Sequence, residues 1–458
     1  MTERKAPVAL VLAAVVLAAA ACAGGGRDDR PAGGDAAARL DAYLQASHEL
    51  ERFSGSVLVA RGGRIVLRQG YGLANYELGV PNTPETKFRL GSITKQFTAM
   101  IVLQLEARGL LKVTDTVAAF FPDYPQGDRI TIHHLLTHTA GIPNLTDFPD
   151  YAATMALPTT PAESLARFKD LPLAFEPGER FSYSNSGYIL LGAIIEKVSG
   201  RPYEECLREN ILIPLGMNDT GYDHAATVLK GRASGYDFAD DRMVNAPYID
   251  MSVPFAAGAL YSTVDDLYKW DRALSTDRLV PRAVLDRIFT PFKDGYAYGW
   301  LVGSSAGRRN IRHGGGINGF STDISRFPDD DACIIVLNNF NTGFISEISD
   351  ALAAGLFGQP VEIPRARTVV APPDEVLDAY AGRYQPDGLP VVFTITRDNG
   401  RLYVQVPGQP RAPLWAESET QFFMKSVSFD LTFHKTAGRV TDFVLVQGKR
   451  ELFARRLE

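Results

Sequence analysis

Three short groups of residues in this sequence could do chemistry. Ser92-Ile93-Thr94-Lys95 sets a hydroxyl and an amine three positions apart, which puts them on one face of a helix. An amine held there supplies the proton acceptor that a serine nucleophile lacks. A helix starting near Ser92 would also turn unpaired N–H groups towards any oxyanion formed at that serine. Tyr183-Ser184-Asn185 adds a phenol and a carboxamide in a polar loop. The phenol can act as acid or base if a cation such as Lys95 lowers its pKa. His313-Gly314-Gly315-Gly316 offers backbone free of side chains, against which a substrate can lie and from which an N–H can complete an oxyanion hole. Ser-x-x-Lys and Tyr-x-Asn each occur once in the chain. Taken singly, each group has a plainer reading: two common residues, a tyrosine beside a helix, a glycine-rich turn.

Rival signals are weaker. Gly303-Ser304-Ser305-Ala306-Gly307 matches G-x-S-x-G, but that chemistry requires a strand–turn–helix elbow, and this segment reads as a hairpin turn. His134 and His138, with His133 beside them, have zinc-like spacing yet lack the glutamate of H-E-x-x-H. Asp265-Asp266 reads as the N-terminal cap of a helix rather than a pair of catalytic acids.

The elements that must position these groups follow from periodicity. Ser56–Ala60 and Arg64–Gln69 form two strands joined at Gly62-Gly63. Apolar residues at 93, 97, 100, 101 and 105 give a helix from about Ser92 to Gly109. Further helices are expected over Thr131–Thr139, Tyr188–Ser199 and about Ile345–Leu356. Strands are expected over Tyr298–Val302, Gly319–Phe327 and Ala332–Asn338, with the glycine run between two of them. Strands, then helices, then strands read as an α+β fold with one sheet fed by both ends. After a proline-rich linker at 358–374, about eight short alternating strands with a hairpin turn at Asn399-Gly400 predict a small all-β barrel at 375–458.

Composition narrows the function. The 458 residues carry 47 Lys and Arg against 53 Asp and Glu, a net charge of −6. Such a chain lacks the basic footprint of a nucleic-acid binder. Arg4 and Lys5 precede an apolar run from Ala6 to Ala21, the form of a secretory signal peptide and too short for a comfortable membrane span. Ala19-Ala20-Ala21-Cys22 resembles a bacterial lipobox, although Ala19 stands where leucine is usual. Lipid attachment at Cys22 and plain signal cleavage beside an incidental cysteine are the two readings. Residues 22–38 are expected to form a flexible tether. Cys206, in a helical pattern, and Cys333, in an apolar strand, are expected to be buried free thiols.

Taken together and in this order, the three groups resemble the serine β-lactamase and penicillin-binding protein superfamily, in its class C-like branch. FRLGSITKQFTA, HHLLTHTAGIP, FEPGERFSYSNSGYILLGAIIE, IPLGMNDTG, AAGALYSTVDDLYKW and HGGGINGF carry the likeness over about residues 40–357. The resemblance implies a β-lactamase/transpeptidase-like fold at 39–357: an antiparallel sheet flanked by helices, with a helical subdomain. It implies Ser92 as acylated nucleophile, Lys95 as activating partner and Tyr183 as general acid and base. Asn185 and His313 to Gly316 would contact substrate, and the oxyanion would sit between the Ser92 and Gly316 N–H groups. No metal or organic cofactor is implied. The partner is a small-molecule or peptide substrate, and a membrane only through an N-terminal lipid anchor. Many relatives have lysine at the position of His313 to hold a substrate carboxylate. Histidine, with an ordinary pKa of about 6.5, weakens that anchor unless Arg308, Arg309 or Arg312 replaces it. The expectation is an exported serine hydrolase acting on ester, amide or D-amino-acid peptide carbonyls. The alternatives are a β-lactamase or DD-carboxypeptidase proper, and a non-catalytic envelope receptor. The segment LDAYAGRYQ and the strand count resemble the lipocalin-like barrel appended to some members, and no chemistry is expected there.

Overall fold

Two hydrophobic patterns, one for each face of a sheet, organise the first three-quarters of the chain. The computed structural model describes residues 34–239, 242–407, 411–448 and 450–457, so the expected signal peptide and Cys22 lie outside the described residues. Six antiparallel strands form the sheet: β1 Gly55–Arg61, β2 Arg64–Tyr71, β3 Leu301–Ser305, β4 Arg308–Ile317, β5 Phe320–Phe327 and β6 Ala332–Asn338. They lie in the order β3-β4-β5-β6-β1-β2, so both ends of the sequence feed one sheet. β1, β5 and β6 are buried almost throughout because helices cover both faces. Alternate residues part company as a period of two demands. Leu58, Ala60, Ile335 and Leu337 enter one core, and Val57, Val59, Ile334 and Val336 enter the other.

The second of these cores is closed by α1 (Gly34–Glu49) and by α6 (Ile345–Leu356), whose Ile348, Leu352 and Leu356 are buried. The larger core is built on α2 (Thr94–Ala107), buried on every side from Thr94 to Leu105, as a helix inside a core must be. α3 (Ile132–Leu136), α4 (Asn185–Ser199) and α5 (Val264–Ala273) surround it. Trp270 of α5 stacks on Phe97 of α2, with ring centroids 4.4 Å apart.

Several expected boundaries move. α1 begins inside the expected tether, because alanine favours helix and Ala36 and Leu40 find a core to enter. α3 stops at Leu136 rather than Thr139, because His138 adopts a left-handed backbone with φ +53°. α4 starts three residues early, so Asn185 is its first residue rather than part of a loop. The third strand lies at 301–305 instead of 298–302, and the glycine run is the end of strand β4 rather than a connection. Glycine there signals close packing, not a turn.

The remaining residues form a closed eight-stranded barrel in sequential order, running from β7 (Gly382–Pro386) to β14 (Arg450–Leu457), after α7 (Asp374–Tyr380). Tyr380 is the last residue of that helix. Asn399 and Gly400, both at positive φ, make the expected turn. The interior is filled by side chains. Phe433 stacks on Tyr380 at 4.0 Å and lies within 6 Å of the Tyr384, Phe422 and Phe443 rings. The segment before α7 is tied to the barrel: Val370 N–H donates to the Ala416 carbonyl at 2.9 Å, and Arg367 pairs with Glu417 and Asp430. Gly343 N–H reaches the Ser426 carbonyl at 3.0 Å, linking barrel to sheet unit.

Because the barrel has its own core, Phe433→Ala should destabilise it by about 3–5 kcal/mol and leave the sheet unit untouched. In scanning calorimetry one transition should fall in temperature while the other keeps its midpoint. A common shift of both would mean that the two cores unfold as one.

Candidate active site

Ser92 sits where a strand edge meets a helix start. Phe88–Arg89 pairs with Leu260–Ser262, and the chain then turns into a short 3-10 segment, Gly91–Ile93, that runs straight into α2. No side chain caps this start, so N–H groups remain for an incoming oxygen. β4 crosses the same point. A Cβ on Gly315 would stand 1.9 Å from the Leu90 carbonyl oxygen, and one on Gly91, at φ +54°, would stand 2.8 Å from that of Gly316. Only glycine permits this approach, which sets the Gly316 backbone beside the serine. Thr322 pins the arrangement by donating to the Leu90 carbonyl at 2.8 Å.

Lys95 lies one helical turn on, wholly buried. Its amine is 3.0 Å from Ser92 Oγ, 2.8 Å from Asn185 Oδ1 and 2.9 Å from the Ala257 carbonyl oxygen. Two of these neighbours can only accept. They take two N–H bonds, and in a neutral amine the lone pair is left facing the serine hydroxyl. Burial drives the amine towards that state, with its pKa well below the ordinary lysine value. Asn185 is fixed by Asn144, whose Oδ1 accepts from its backbone N–H at 2.9 Å and faces its Nδ2 at 3.3 Å.

Tyr183 completes the group. Lys95 Nζ lies 4.8 Å from its ring centroid, and the Ser92 hydroxyl faces the phenol. The expected lowering of its pKa does not occur. The ring keeps part of its surface open, yet the dense surroundings of the hydroxyl raise the pKa, and the bond to Ser92 offsets this only in part. Lys95, whose own charged form burial disfavours, does not reverse that. Tyr183 is therefore a proton donor at rest.

His313 is 4% exposed and committed at both ring nitrogens. Nδ1 lies 2.6 Å from the Gly314 carbonyl oxygen, which can only accept, so Nδ1 carries the proton. Nε2 then accepts from the Tyr296 hydroxyl at 2.9 Å. Burial first, and the nearby Lys95 amine second, lower its pKa to about 3. It offers a substrate neither charge nor a free N–H. Nor do the three arginines replace it. Arg312 points to the other face of β4, to Asp323 at 3.2 Å and Asp350 at 3.5 Å. Arg308 pairs with Asp330, and Arg309 shares a cleft with Phe289 and Ile311, four residues along the strand from His313.

The remaining sequence signals find other roles. Ser305 of the G-x-S-x-G match donates to Asp350 at 2.7 Å, and Ala306-Gly307 form the expected turn between β3 and β4. His133 meets the Tyr298 hydroxyl, and His134 closes a capping box on Thr131. The cap before Asp265-Asp266 is Thr263, whose hydroxyl accepts from Asp266 N–H at 3.3 Å. Cys206 and Cys333 are buried and free. Sequence reasoning missed Ala257, Asn144, Tyr296 and the placement of His138 beside Tyr183. Ala257 acts through its carbonyl, to which side-chain patterns are blind. Asn144, just after Gly141-Ile142-Pro143, carried the only available cue.

The chain matches the family described as Beta-lactamase over residues 39–359, and a domain of unknown function, DUF3471, over 366–455. Penicillin-binding protein 4* of Bacillus subtilis is 30% identical over 440 residues, covering 90% of this chain and 97% of that protein. Among solved structures, the octameric penicillin-binding protein homologue from Pyrococcus abyssi aligns with TM-score 0.65 and 29% identity over 91% of this chain and 99% of its own. D-amino acid amidase from Ochrobactrum anthropi aligns with TM-score 0.61 and 26% identity over 71% of this chain and 97% of its own.

The state of Lys95 is open to test through Asn185→Asp. A carboxylate 2.8 Å from the amine favours the charged form, so the lysine pKa must rise. The acid limb in the pH profile of Ser92 modification by a fluorophosphonate should then move to higher pH than in the parent. An unmoved limb would show that Lys95 does not set it.

Proposed function

The chain belongs to the beta-lactamase family of serine hydrolases, and on that premise we propose that it is an exported acyl-transfer hydrolase of ester, amide and D-aminoacyl carbonyls. The observation that carries the reading is the buried amine of Lys95, 3.0 Å from Ser92 Oγ and held on its other sides by Asn185 Oδ1 and the Ala257 carbonyl oxygen. In the proposed sequence Ser92 Oγ attacks the carbonyl carbon while its proton passes to Lys95. The oxyanion is met by the backbone N–H groups of Ser92 and Gly316. Tyr183 gives its proton to the leaving group and regains one from Lys95, so both groups return to their resting states. Water then attacks the acyl-serine, losing a proton back through Tyr183 to Lys95, which returns it to Ser92. Asn185 holds the amine, and Gly314 to Gly316 line the substrate edge.

The substrate class follows from His313. A neutral imidazole with both nitrogens engaged gives no anchor to the carboxylate that β-lactams and peptide C-termini carry. Esters and amides need none, and the likeness to a D-amino acid amidase supports amides of D-amino acids. The reading also places the protein in the cell envelope, on the basic start, apolar run and Cys22 of the N-terminal segment. The barrel, filled by its own aromatics, has no part in the chemistry.

A fluorophosphonate should label the parent and not Ser92→Ala; equal labelling would remove Ser92 from the mechanism. Short-chain p-nitrophenyl esters should turn over, while nitrocefin stays below the kcat/KM of about 10⁶ M⁻¹s⁻¹ common among efficient enzymes. His313→Lys should raise the ratio of nitrocefin to ester turnover. Nitrocefin hydrolysis at or above that rate by the parent would overturn the argument from His313.

A further inference from the structure

His138 is a buried titratable group that the proposed mechanism leaves idle, and it holds Tyr183 from three sides. Its carbonyl oxygen accepts the Ser182 N–H at 2.9 Å, and its Nδ1 accepts the Ser184 N–H at 3.1 Å. The residues on either side of Tyr183 are thus both tied to one histidine. Its ring also packs against the Tyr183 ring, with centroids 4.2 Å apart.

This placement has two costs. His138 is a non-glycine residue in the left-handed region, at φ +53°, which histidine tolerates better than most side chains but does not favour. Because Nδ1 accepts, the ring proton is on Nε2, a buried nitrogen with no hydrogen-bond partner among the described residues. The Tyr296 and Tyr188 rings lie 4.6 and 5.1 Å away instead. An orphaned buried donor is unfavourable, and an apolar side chain would fill the space without one. A strained backbone and an unsatisfied polar atom at one residue beside an active site point to a functional demand there. Burial and the adjacent Lys95 and His313 hold the ring neutral, so its Nδ1 stays free to accept.

We propose that His138 is a positioning residue that aims the Tyr183 hydroxyl at the leaving-group atom. The inference rests on the serine hydrolase reading above and deepens it. His138 touches neither substrate nor Ser92; it fixes the Tyr183 backbone by two bonds and the ring by packing. In the acylation step its contribution should appear only where the leaving group must be protonated. A p-nitrophenoxide leaves as the anion, whereas an amine leaving an amide needs the proton.

A double-mutant cycle tests this with His138→Asn, His138→Ala, Tyr183→Phe and the combination of Tyr183→Phe with His138→Asn. Fluorophosphonate titration counts folded sites. Asparagine is at ease in the left-handed region and can present an acceptor to Ser184. Per folded site, His138→Ala should lose about 10²-fold on a D-aminoacyl amide, the low end of what a positioned proton donor contributes. The burst of p-nitrophenoxide that reports acylation by a p-nitrophenyl ester should change by no more than about threefold. His138→Asn should recover part of the amide loss. In the Tyr183→Phe background His138→Asn should cost nothing further, because it acts through the phenol. Equal losses in ester acylation and amide acylation, or additive effects in the cycle, would overturn the inference. If His138→Ala does not fold, the cycle with His138→Asn alone decides. Ser92→Ala run alongside keeps the two readings apart. Labelling that survives it removes the serine mechanism and this inference with it. Its loss, together with an additive cycle, removes this inference alone.

Discussion

Desolvation of a single amine governs the site. Lys95 is enclosed by α2, α4 and the Phe255–Gly258 turn of helix, with no route for bulk water to stabilise its charge. Its pKa falls because the charged form loses hydration, and among the described residues no carboxylate lies within bonding distance to restore it. The hydrogen-bond partners then decide direction. A carboxamide oxygen and a main-chain carbonyl, both acceptors only, orient the amine so that its remaining position meets Ser92. The same desolvation raises Tyr183 and lowers His313 and His138. The site is therefore a set of neutral groups able to pass a proton rather than a set of fixed charges.

The second constraint is steric. The end of β4 and the chain entering α2 approach more closely than any side chain allows, and Gly315 and Gly91 lie at the two contacts. That approach turns a helix N-terminus and a sheet edge into one surface carrying two sets of N–H groups. The Arg312 network on the far face of β4 braces the strand against Asp323 and α6. Because side chains alternate along a strand, its charge cannot reach the substrate side. Geometry, not composition, removes the cation from the site.

The barrel stands apart from both constraints. Its aromatic interior leaves no need for the sheet unit's core, and the sheet unit meets it at Gly343, whose N–H donates to the Ser426 carbonyl. Its closed ladder also removes the exposed edges that would otherwise invite strand pairing.

The sequence by itself marked most of the elements and the groups proposed to react. Periodicity placed α2 and α6 almost to the residue, turn chemistry placed the β1–β2 and Asn399-Gly400 hairpins, and spacing put Ser92 and Lys95 on one helical face. These are local properties, written in residues a turn or a strand apart. Tertiary structure decided what the groups are. The pKa of Tyr183 moved opposite to the sequence expectation, because burial of the phenol outweighs a lysine whose own charged form burial disfavours. The glycine run is strand because it pairs with β5, and it is glycine because Leu90, more than two hundred residues away, presses on it. Ala257 entered as a carbonyl and His138 as a clamp on Tyr183, through contacts between segments distant in the chain. Desolvation and long-range approach depend on how the whole chain packs, and no window of sequence contains them.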